Sequence, residues 1–151
     1  MVIAVSGGDP TEEIVEHLFA LVDRLRSGFE SAAASFDLSV AQAKALRHVA
    51  TAGPVPMRDV ACQMRCDASN VTGIIDRLET RGLVQRRAAP GDRRVKSLVA
   101  TPRGEEIARA LWGEVRTGAA ALLEMTDEER TTLVVLLRRV DIRPLTASGP
   151  R

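Results

Sequence analysis

The sequence has few aromatic residues, few cysteines and no long apolar run. It contains no tyrosine, one tryptophan and three phenylalanines in 151 residues, so its core must be built from Leu, Val, Ile and Ala. Two cysteines cannot form the disulfide framework of a small secreted protein. No stretch of about 18 apolar residues occurs, so no membrane-spanning helix is predicted. The opening MVIAVSGGDP lacks the basic segment and apolar length of a signal peptide, which makes the cytoplasm the expected location.

The side-chain groupings of an enzyme or a metal site are also missing. The sequence has no Gly-rich phosphate loop, no nucleophile with a plausible base nearby and no pair of carboxylates on a buried face. His17 and His48 fall in different predicted helices, without a cluster of Cys or carboxylate residues at ligand spacing. We therefore expect no catalytic activity, no metal and no cofactor.

Charge is unevenly distributed, although the formal net charge is only +1. Residues 58–104 hold ten Arg or Lys and five Asp or Glu, a net charge of +5. The rest of the chain holds eleven basic and fifteen acidic residues, a net charge of −4. A basic middle between acidic ends indicates a polyanion-binding surface that is confined to one part of the molecule.

N-cap residues followed by Pro, Gln or Glu predict four helices in the outer parts of the chain. These helices start at Asp9, Ser39, Thr101 and Thr126 and are expected to end at about Ala34, Ala50, Glu124 and Val140. Apolar residues recur at helical spacing in the first and last of them, namely Ile14, Leu18, Leu21, Leu25 and Phe29, and Leu133, Leu136, Leu137 and Val140. Such stripes predict packing against other helices, either of a second copy or of the same chain folded back.

The middle of the chain predicts two further helices separated by a short turn. The first is expected over Met57–Met64. The second is expected to start at the N-cap Asp67, whose side chain can accept a hydrogen bond from the backbone of Ser69 or Asn70. Gly82 predicts a left-handed residue after this helix, with the next apolar residue closing a Schellman-type end.

A β-hairpin is predicted directly after the second helix. The strand-like segments Leu83–Ala88 and Val95–Thr101 enclose Pro90-Gly91-Asp92, a turn signal. Val55 is expected to add a short third strand to this sheet. A helix, a turn, a helix and a two-stranded wing form the winged variant of the helix-turn-helix.

Both the second helix and the hairpin carry side chains suited to DNA. In a helix-turn-helix, the N-terminal positions of the second helix enter the major groove, where Asn can read adenine and Ser or Thr can reach bases or phosphates. The candidates there are Ser69, Asn70, Thr72, Gly73 and, one turn later, Arg77. A projecting arginine-rich hairpin suits the negative potential of a narrow minor groove. The alternatives are an ordinary polar helix face and a hairpin whose charges keep an edge strand soluble.

The sequence resembles the MarR family of bacterial transcriptional regulators. The resemblance rests on DASNVTGIIDRLETRGLVQRR, on GDRRVKSLVATPRG and on the helices that flank both, and it extends from about Thr11 to about Val140. It implies that Arg94 enters the minor groove with Asp92 as its positioning partner, and that Ser69, Asn70 and Thr72 contact DNA. Arg86 and Arg93 are the expected phosphate contacts. At Gly73 many relatives carry a larger or basic side chain, and glycine would instead let the backbone approach DNA closely.

The resemblance also implies a small lipophilic or phenolic effector, bound between the dimer helices and the winged core. Candidate contacts are Phe29, Phe36, His48 and Trp112, each of which is also well explained as core filler. Cys66 is expected to be buried in the core, whereas Cys62 is a candidate oxidant sensor.

We therefore interpret residues 1–151 as one domain, mainly α with a small β wing. The winged helix-turn-helix core is expected over about 39–101, and the dimerisation helices over about 9–36 and 102–141. The expected function is that of a homodimeric repressor that binds a pseudo-palindromic operator in double-stranded DNA and is released by an effector. Alternatives are a thiol-based oxidant sensor on the same fold and a winged-helix protein that binds another protein without operator specificity.

Overall fold

The computed structural model of the chain describes residues 9–89, 92–122 and 124–140, without the side chains of residues 68, 89, 92–96, 121 and 122. In chain order the elements are α1 (Pro10–Ala34), α2 (Val40–Ala52), β1 (Val55–Pro56), α3 (Met57–Met64), α4 (Ala68–Thr80), β2 (Val84–Ala89), β3 (Asp92–Ala100), α5 (Pro102–Leu122) and α6 (Asp127–Arg139). The chain divides into two units after Ala119. The predicted fold class, mainly α with a small β wing, is confirmed.

Most of the predicted helix starts are confirmed by their capping hydrogen bonds. The Asp9 carboxylate accepts from the backbone N–H of Thr11 at 2.9 Å. Ser39 and Gln42 form the reciprocal capping box at the start of α2, and Thr101 Oγ1 accepts from the N–H of Gly104 at 3.1 Å. Each of these side chains satisfies a backbone donor that the first turn of a helix leaves unpaired.

The expected cap at Asp67 is wrong in one respect. Asp67 is the N-cap of α4, but within the described part of the chain its carboxylate makes no capping hydrogen bond. The helix starts instead on a main-chain bond from the N–H of Val71 to the carbonyl of Asp67, at 3.2 Å. Since Asp67 is exposed, water can solvate its carboxylate without the helix.

The end of α4 has the predicted Schellman geometry. Gly82 lies in the left-handed region at φ +67°, its N–H donates to the carbonyl of Glu79 at 2.8 Å, and the N–H of Leu83 donates to that of Leu78 at 2.9 Å. Leu78 and Leu83 are both buried, in agreement with the apolar pair that frequently accompanies this motif. The chain therefore leaves α4 in a fixed direction and enters the wing.

A three-stranded antiparallel sheet forms the base of the wing. Its strand order is β1-β3-β2, and the predicted short strand at Val55 is confirmed by its pairing with Leu98. Strand β3 starts at Asp92, earlier than the predicted Val95, because Asp92 pairs with Ala89 after a register shift in β2. The predicted turn residues Pro90 and Gly91 lie outside the described residues.

The core of the first unit is aliphatic, as the scarcity of aromatic residues requires. Its largest fully buried side chains are Leu and Ile residues of α2, α4, β3 and α5, with Leu83 between α4 and β2, namely Leu46, Ile75, Leu78, Leu83, Leu98 and Leu111. This core lies beneath α4 and fixes which face of that helix is exposed.

The second unit contains α6, whose start is a confirmed capping box. Thr126 Oγ1 accepts from the N–H of Glu129, and the Glu129 carboxylate accepts from the N–H of Thr126 at 2.8 Å. Helix α6 buries none of its residues. Across the described residues, no helix combines the length and apolar character needed to cross a membrane.

Candidate nucleic-acid interface

Helix α4 is anchored by one face and exposes the opposite one. Val71, Ile75 and Leu78 have no exposed surface, and their spacing places the intervening polar residues outward. The predicted DNA contacts on this helix all lie on that exposed face, namely Ser69, Asn70, Thr72, Gly73 and Arg77. The structure therefore places these five residues on one surface of α4, with Ser69, Asn70, Thr72 and Gly73 in its N-terminal half and Arg77 in its last turn.

Gly73 has no packing reason to be glycine. A Cβ atom built on Gly73 would have nothing within 4 Å among the described residues, beyond the backbone of its own helix. Glycine inside an exposed helix costs about 0.5–1 kcal/mol relative to alanine. Glycine at this exposed position leaves the helix backbone open to close approach by a partner.

Arg86 joins the wing to α4. Its Nη2 lies 2.6 Å from Oδ1 of Asp76, and its Nη1 donates to the Glu79 carboxylate. Its backbone N–H also donates to Glu79, at 3.2 Å. The hydrogen bond that Arg86 donates to Asp76, together with the charge of Glu79, raises the pKa of the Arg86 guanidinium above its ordinary value, although partial burial works in the other direction.

These contacts bear on the phosphate contact expected of Arg86. Its side chain is 26% exposed and faces two carboxylates, so much of its charge is already balanced within the protein. It acts as a strut between helix α4 and strand β2, and a phosphate contact by Arg86 stays a prediction. The sequence offered no signal for this pairing, because Asp76 and Glu79 precede Arg86 by ten and seven positions in a different element.

The structure describes only the backbone of the three remaining predicted wing residues. Asp92, Arg93 and Arg94 belong to strand β3 by their backbone, and their side chains lie outside the described residues. The expected minor-groove contact of Arg94 and its pairing with Asp92 therefore stay predictions.

Arg81 was missed by the sequence reasoning. It is the C-cap of α4, and its guanidinium reaches the turn between α1 and α2. Nη1 donates to the carbonyl of Asp37 at 2.5 Å and Nη2 to that of Phe36 at 3.0 Å. A basic residue at a helix end was visible in the sequence, but its main-chain acceptors lie 44 and 45 positions away.

Three of the four candidate effector residues line clefts beside α2 and α5. Trp112 lines clefts of about 480, 610 and 790 Å³, and the guanidinium of Arg47 lies 3.3 Å from the centre of its ring. Phe29 lines the two larger clefts. His48 lines the cleft of about 610 Å³, and its Nε2 is buried without a hydrogen-bond partner among the described residues. Phe36 packs against the core and lines none of these three clefts.

The prediction that Cys66 is buried is wrong. Cys62 and Cys66 are both exposed free thiols. The core beside the turn is filled by Val60 and Val71, which have no exposed surface, and Cys66 stays outside with its Sγ donating to the carbonyl of Met64 at 3.3 Å. In the part of the chain that the structure describes, no group of three or more His, Cys, Asp or Glu residues could hold a metal ion.

The chain is similar to known transcriptional regulators. A family model described as MarR family matches residues 38–96. The chain is 32% identical over 98 residues to the uncharacterized HTH-type transcriptional regulator YfiV of Bacillus subtilis, an alignment that covers 65% of this chain and 61% of YfiV. The chain thus spans less than two thirds of the length of that relative.

Solved structures agree with the fold. A MarR family protein from Bacillus stearothermophilus is similar at a TM-score of 0.76 and 23% identity, over 85% of this chain and 90% of that chain. A mutant of MepR from S. aureus, bound to an oligodeoxyribonucleotide, is similar at a TM-score of 0.63 and 17% identity, over 82% and 93% of the two chains. At these identities the likeness establishes the architecture of the chain.

Proposed function

This chain belongs to the MarR family through its winged helix-turn-helix part, residues 38–96, and from that premise we propose that it is a cytoplasmic, sequence-specific DNA-binding repressor without enzymatic activity. The observation that carries the proposal is the exposed polar face of α4, held outward by a fully buried opposite face. Ser69, Asn70 and Thr72 would read bases or contact phosphates in the major groove. The MepR relative, whose structure contains an oligodeoxyribonucleotide, supports the same use of this fold.

The wing would supply the second part of the contact. Strands β2 and β3 carry Arg87, Arg93, Arg94 and Lys96, so the hairpin brings a concentrated positive charge to the duplex. We propose that Arg94 enters the minor groove, oriented by Asp92, and that Arg93 contacts phosphates. Phosphate contacts would supply most of the affinity, and the α4 face with Arg94 would supply the selectivity.

We propose that the active species is a homodimer. Helix α1 exposes a face of large apolar side chains, among them Ile14, Leu18, Phe19 and Val22, and α6 exposes Val134, Val135, Leu136 and Leu137. Apolar surfaces of this kind mark association sites. A two-fold dimer places its two copies of α4, the recognition helices, about 34 Å apart. This distance is one turn of the duplex, so the dimer fits a pseudo-palindromic operator.

An effector would release the repressor from its operator. The clefts around Trp112 can take a flat lipophilic or phenolic molecule that contacts Phe29 and His48. Such a molecule need only bind better to a dimer whose recognition helices do not match the operator.

Fluorescence anisotropy of the purified protein tests the proposed function. We expect duplex DNA from the upstream region of its own gene to bind at least about a thousandfold tighter than a scrambled duplex, with a steep dependence on salt. Arg94→Ala should weaken specific binding by about 1–3 kcal/mol, whereas Arg109→Ala, an exposed residue of α5, should bind as the wild type does. Equal and weak binding to every duplex, including duplexes selected from the whole genome, would favour the alternative of a protein-binding module.

A thiol-based oxidant sensor is a second candidate, favoured by the exposure of both cysteines. Cys62 and Cys66 flank Arg65, the left-handed residue at φ +50° that ends α3 just before α4. Oxidation of these thiols by a peroxide would alter the turn that orients the recognition helix. If this candidate holds, peroxide releases the wild-type protein from DNA and Cys62→Ser abolishes the release; unchanged release in the mutant would exclude Cys62 as the sensor.

A further inference from the structure

The turn between α1 and α2 leaves two main-chain carbonyls for a partner from outside the turn. The N–H of Leu38 returns to the carbonyl of Ala33 at 3.0 Å, and the N–H of Asp37 to that of Ala34 at 3.0 Å. Asp37, the residue before Leu38, lies in the left-handed region at φ +53°. The carbonyls of Phe36 and Asp37 thus lie at the C-terminal end of α1, where partial negative charge accumulates.

Arg81 supplies that partner. Its two terminal nitrogens donate to these two consecutive carbonyls at 2.5 and 3.0 Å, the fork geometry that arginine offers and lysine does not. Its backbone N–H meanwhile donates to the carbonyl of Arg77 within α4, at 3.2 Å. Arg81 therefore caps the C-terminal end of the recognition helix α4 and holds the turn that follows α1, and its charge is favourable near both helix ends.

We propose that Arg81 is a positioning residue that couples α1 to the recognition helix α4. The acceptors are main-chain atoms, so these two hydrogen bonds, here called the tie, depend on the backbone path of the α1–α2 turn and not on its side chains. A displacement of α1 is then transmitted to the C-terminal end of α4. In the proposed dimer, on which this inference rests, α1 carries part of the interface, so Arg81 helps set the separation of the two recognition helices and hence of the two operator half-sites.

The coupling predicts which DNA the protein prefers when Arg81 is replaced. The test uses duplexes with identical half-sites whose centres are about 8 to 13 base pairs apart. We expect the wild type to bind one separation at least about tenfold tighter than a separation two base pairs away, and Arg81→Gln to reduce that ratio to about threefold or less. Affinity for a scrambled duplex and its salt dependence should not change, because Arg81 donates to protein carbonyls rather than to phosphates.

Two further variants sharpen the comparison. Arg81→Lys keeps the charge but not the fork, so its spacing preference should fall between those of the wild type and Arg81→Gln, and it carries the test if Arg81→Gln does not fold. Arg109→Gln removes one exposed cation from α5 and should keep the wild-type preference. A wild-type spacing preference in both Arg81 variants would overturn the proposal, as would a uniform loss of binding to all duplexes, which would make Arg81 a phosphate contact.

Amide hydrogen exchange tests the tie without DNA. Arg81→Gln should exchange the amides of Asp37 and Leu38 at least about tenfold faster than the wild type, and those of Gly82 and Leu83 should also accelerate, whereas Arg109→Gln should leave all four unchanged. Unchanged exchange in Arg81→Gln would overturn the tie. Accelerated exchange in a protein that prefers no DNA separation would instead retain the tie and overturn the proposed function together with the spacing role.

Discussion

Gly73 shows most directly what a single residue contributes to the proposed interface. It lies on the exposed face of α4, and a Cβ atom at this position would meet nothing within 4 Å among the described residues. Gly73→Ala should therefore raise the free energy of unfolding by about 0.5–1 kcal/mol in urea denaturation. We expect the same variant to bind operator DNA more weakly, because the added methyl group keeps the helix backbone from the duplex.

Gly113→Ala is the matched control for the expected rise in stability and loss of DNA affinity in Gly73→Ala. Gly113 lies within α5, and the described residues leave the same open space around it. Its alanine variant should gain similar stability and keep the wild-type affinity for DNA. A Gly73→Ala protein that is more stable and binds DNA as tightly as the wild type would contradict the close approach of the α4 backbone.

The stability of the start of α6 should depend on pH through Glu129. Its carboxylate accepts from the backbone N–H and the hydroxyl of Thr126, at 2.8 and 3.0 Å, and these hydrogen bonds lower the pKa of Glu129 below its ordinary value. A carboxylate whose pKa is lowered in the folded state stabilises the fold above its unfolded pKa. That contribution is lost as the pH falls through the lower, folded value.

The Thr126 amide should report this titration. We expect its NMR signal to move with an apparent pKa below the ordinary range of glutamate, and the first turn of α6 to loosen at more acidic pH. Glu129→Gln keeps an oxygen acceptor in the capping box but does not titrate, so the movement of the Thr126 signal at this lowered pKa should be absent from the variant. A titration of the wild-type signal at the ordinary glutamate pKa would show that the capping box is not formed in solution.

At the scale of the elements, α5 begins in close contact with the residues that follow α4. Thr101 donates from its N–H to the carbonyl of Leu83 at 3.0 Å and from its hydroxyl to that of Gly82 at 2.7 Å. These bonds hold the start of α5 against the end of α4. A Cβ atom at Gly104 would lie 2.0 Å from the carbonyl oxygen of Leu83, a distance that forces the backbone to move.

Gly104→Ala should therefore destabilise the fold, although alanine is the better helix former. Displacing the backbone of a packed junction costs about 1–3 kcal/mol, which exceeds the gain in helix propensity. Urea denaturation should show a lower midpoint with little change in slope. Gly118→Ala, with open space around it among the described residues, should be neutral or stabilising; equal stability of both variants would mean that the junction is looser than described.

The sequence predicted contacts within one element better than contacts between elements. The caps at Asp9, Ser39 and Thr126 and the Schellman end at Gly82 involve residues within five positions of each other, so local patterns identified them. Cys66 was predicted wrongly because Val60 and Val71 fill the core beside it, and the Asp67 cap was predicted wrongly because water can solvate its exposed carboxylate. The contacts of Arg81 and Arg86 join different elements, and no spacing rule reports such distances.

For the whole molecule, the exposed apolar face of α1 gives the sharpest prediction. Phe19 is 70% exposed and Val22 56% exposed, a large cost if these side chains face water. The double variant Phe19→Glu and Val22→Glu should sediment as a monomer at concentrations where we expect the wild type to form the proposed dimer, and it should lose specific DNA binding. Glu16→Gln, a polar change in the same exposed stretch, should leave the mass unchanged, and a wild-type protein that is monomeric throughout would contradict the proposed dimer.

The pairing of Val55 with Leu98 has a consequence for folding and for movement on DNA. It closes a loop of more than forty residues that contains α3, α4 and β2, and closing a loop of this length carries an entropy cost that later contacts must offset. The recognition helix α4 and the hairpin beside it should therefore form in one cooperative step. On a bent or twisted duplex they should also turn together, so that the protein follows the DNA by rotating this whole body rather than by flexing the hairpin at its base.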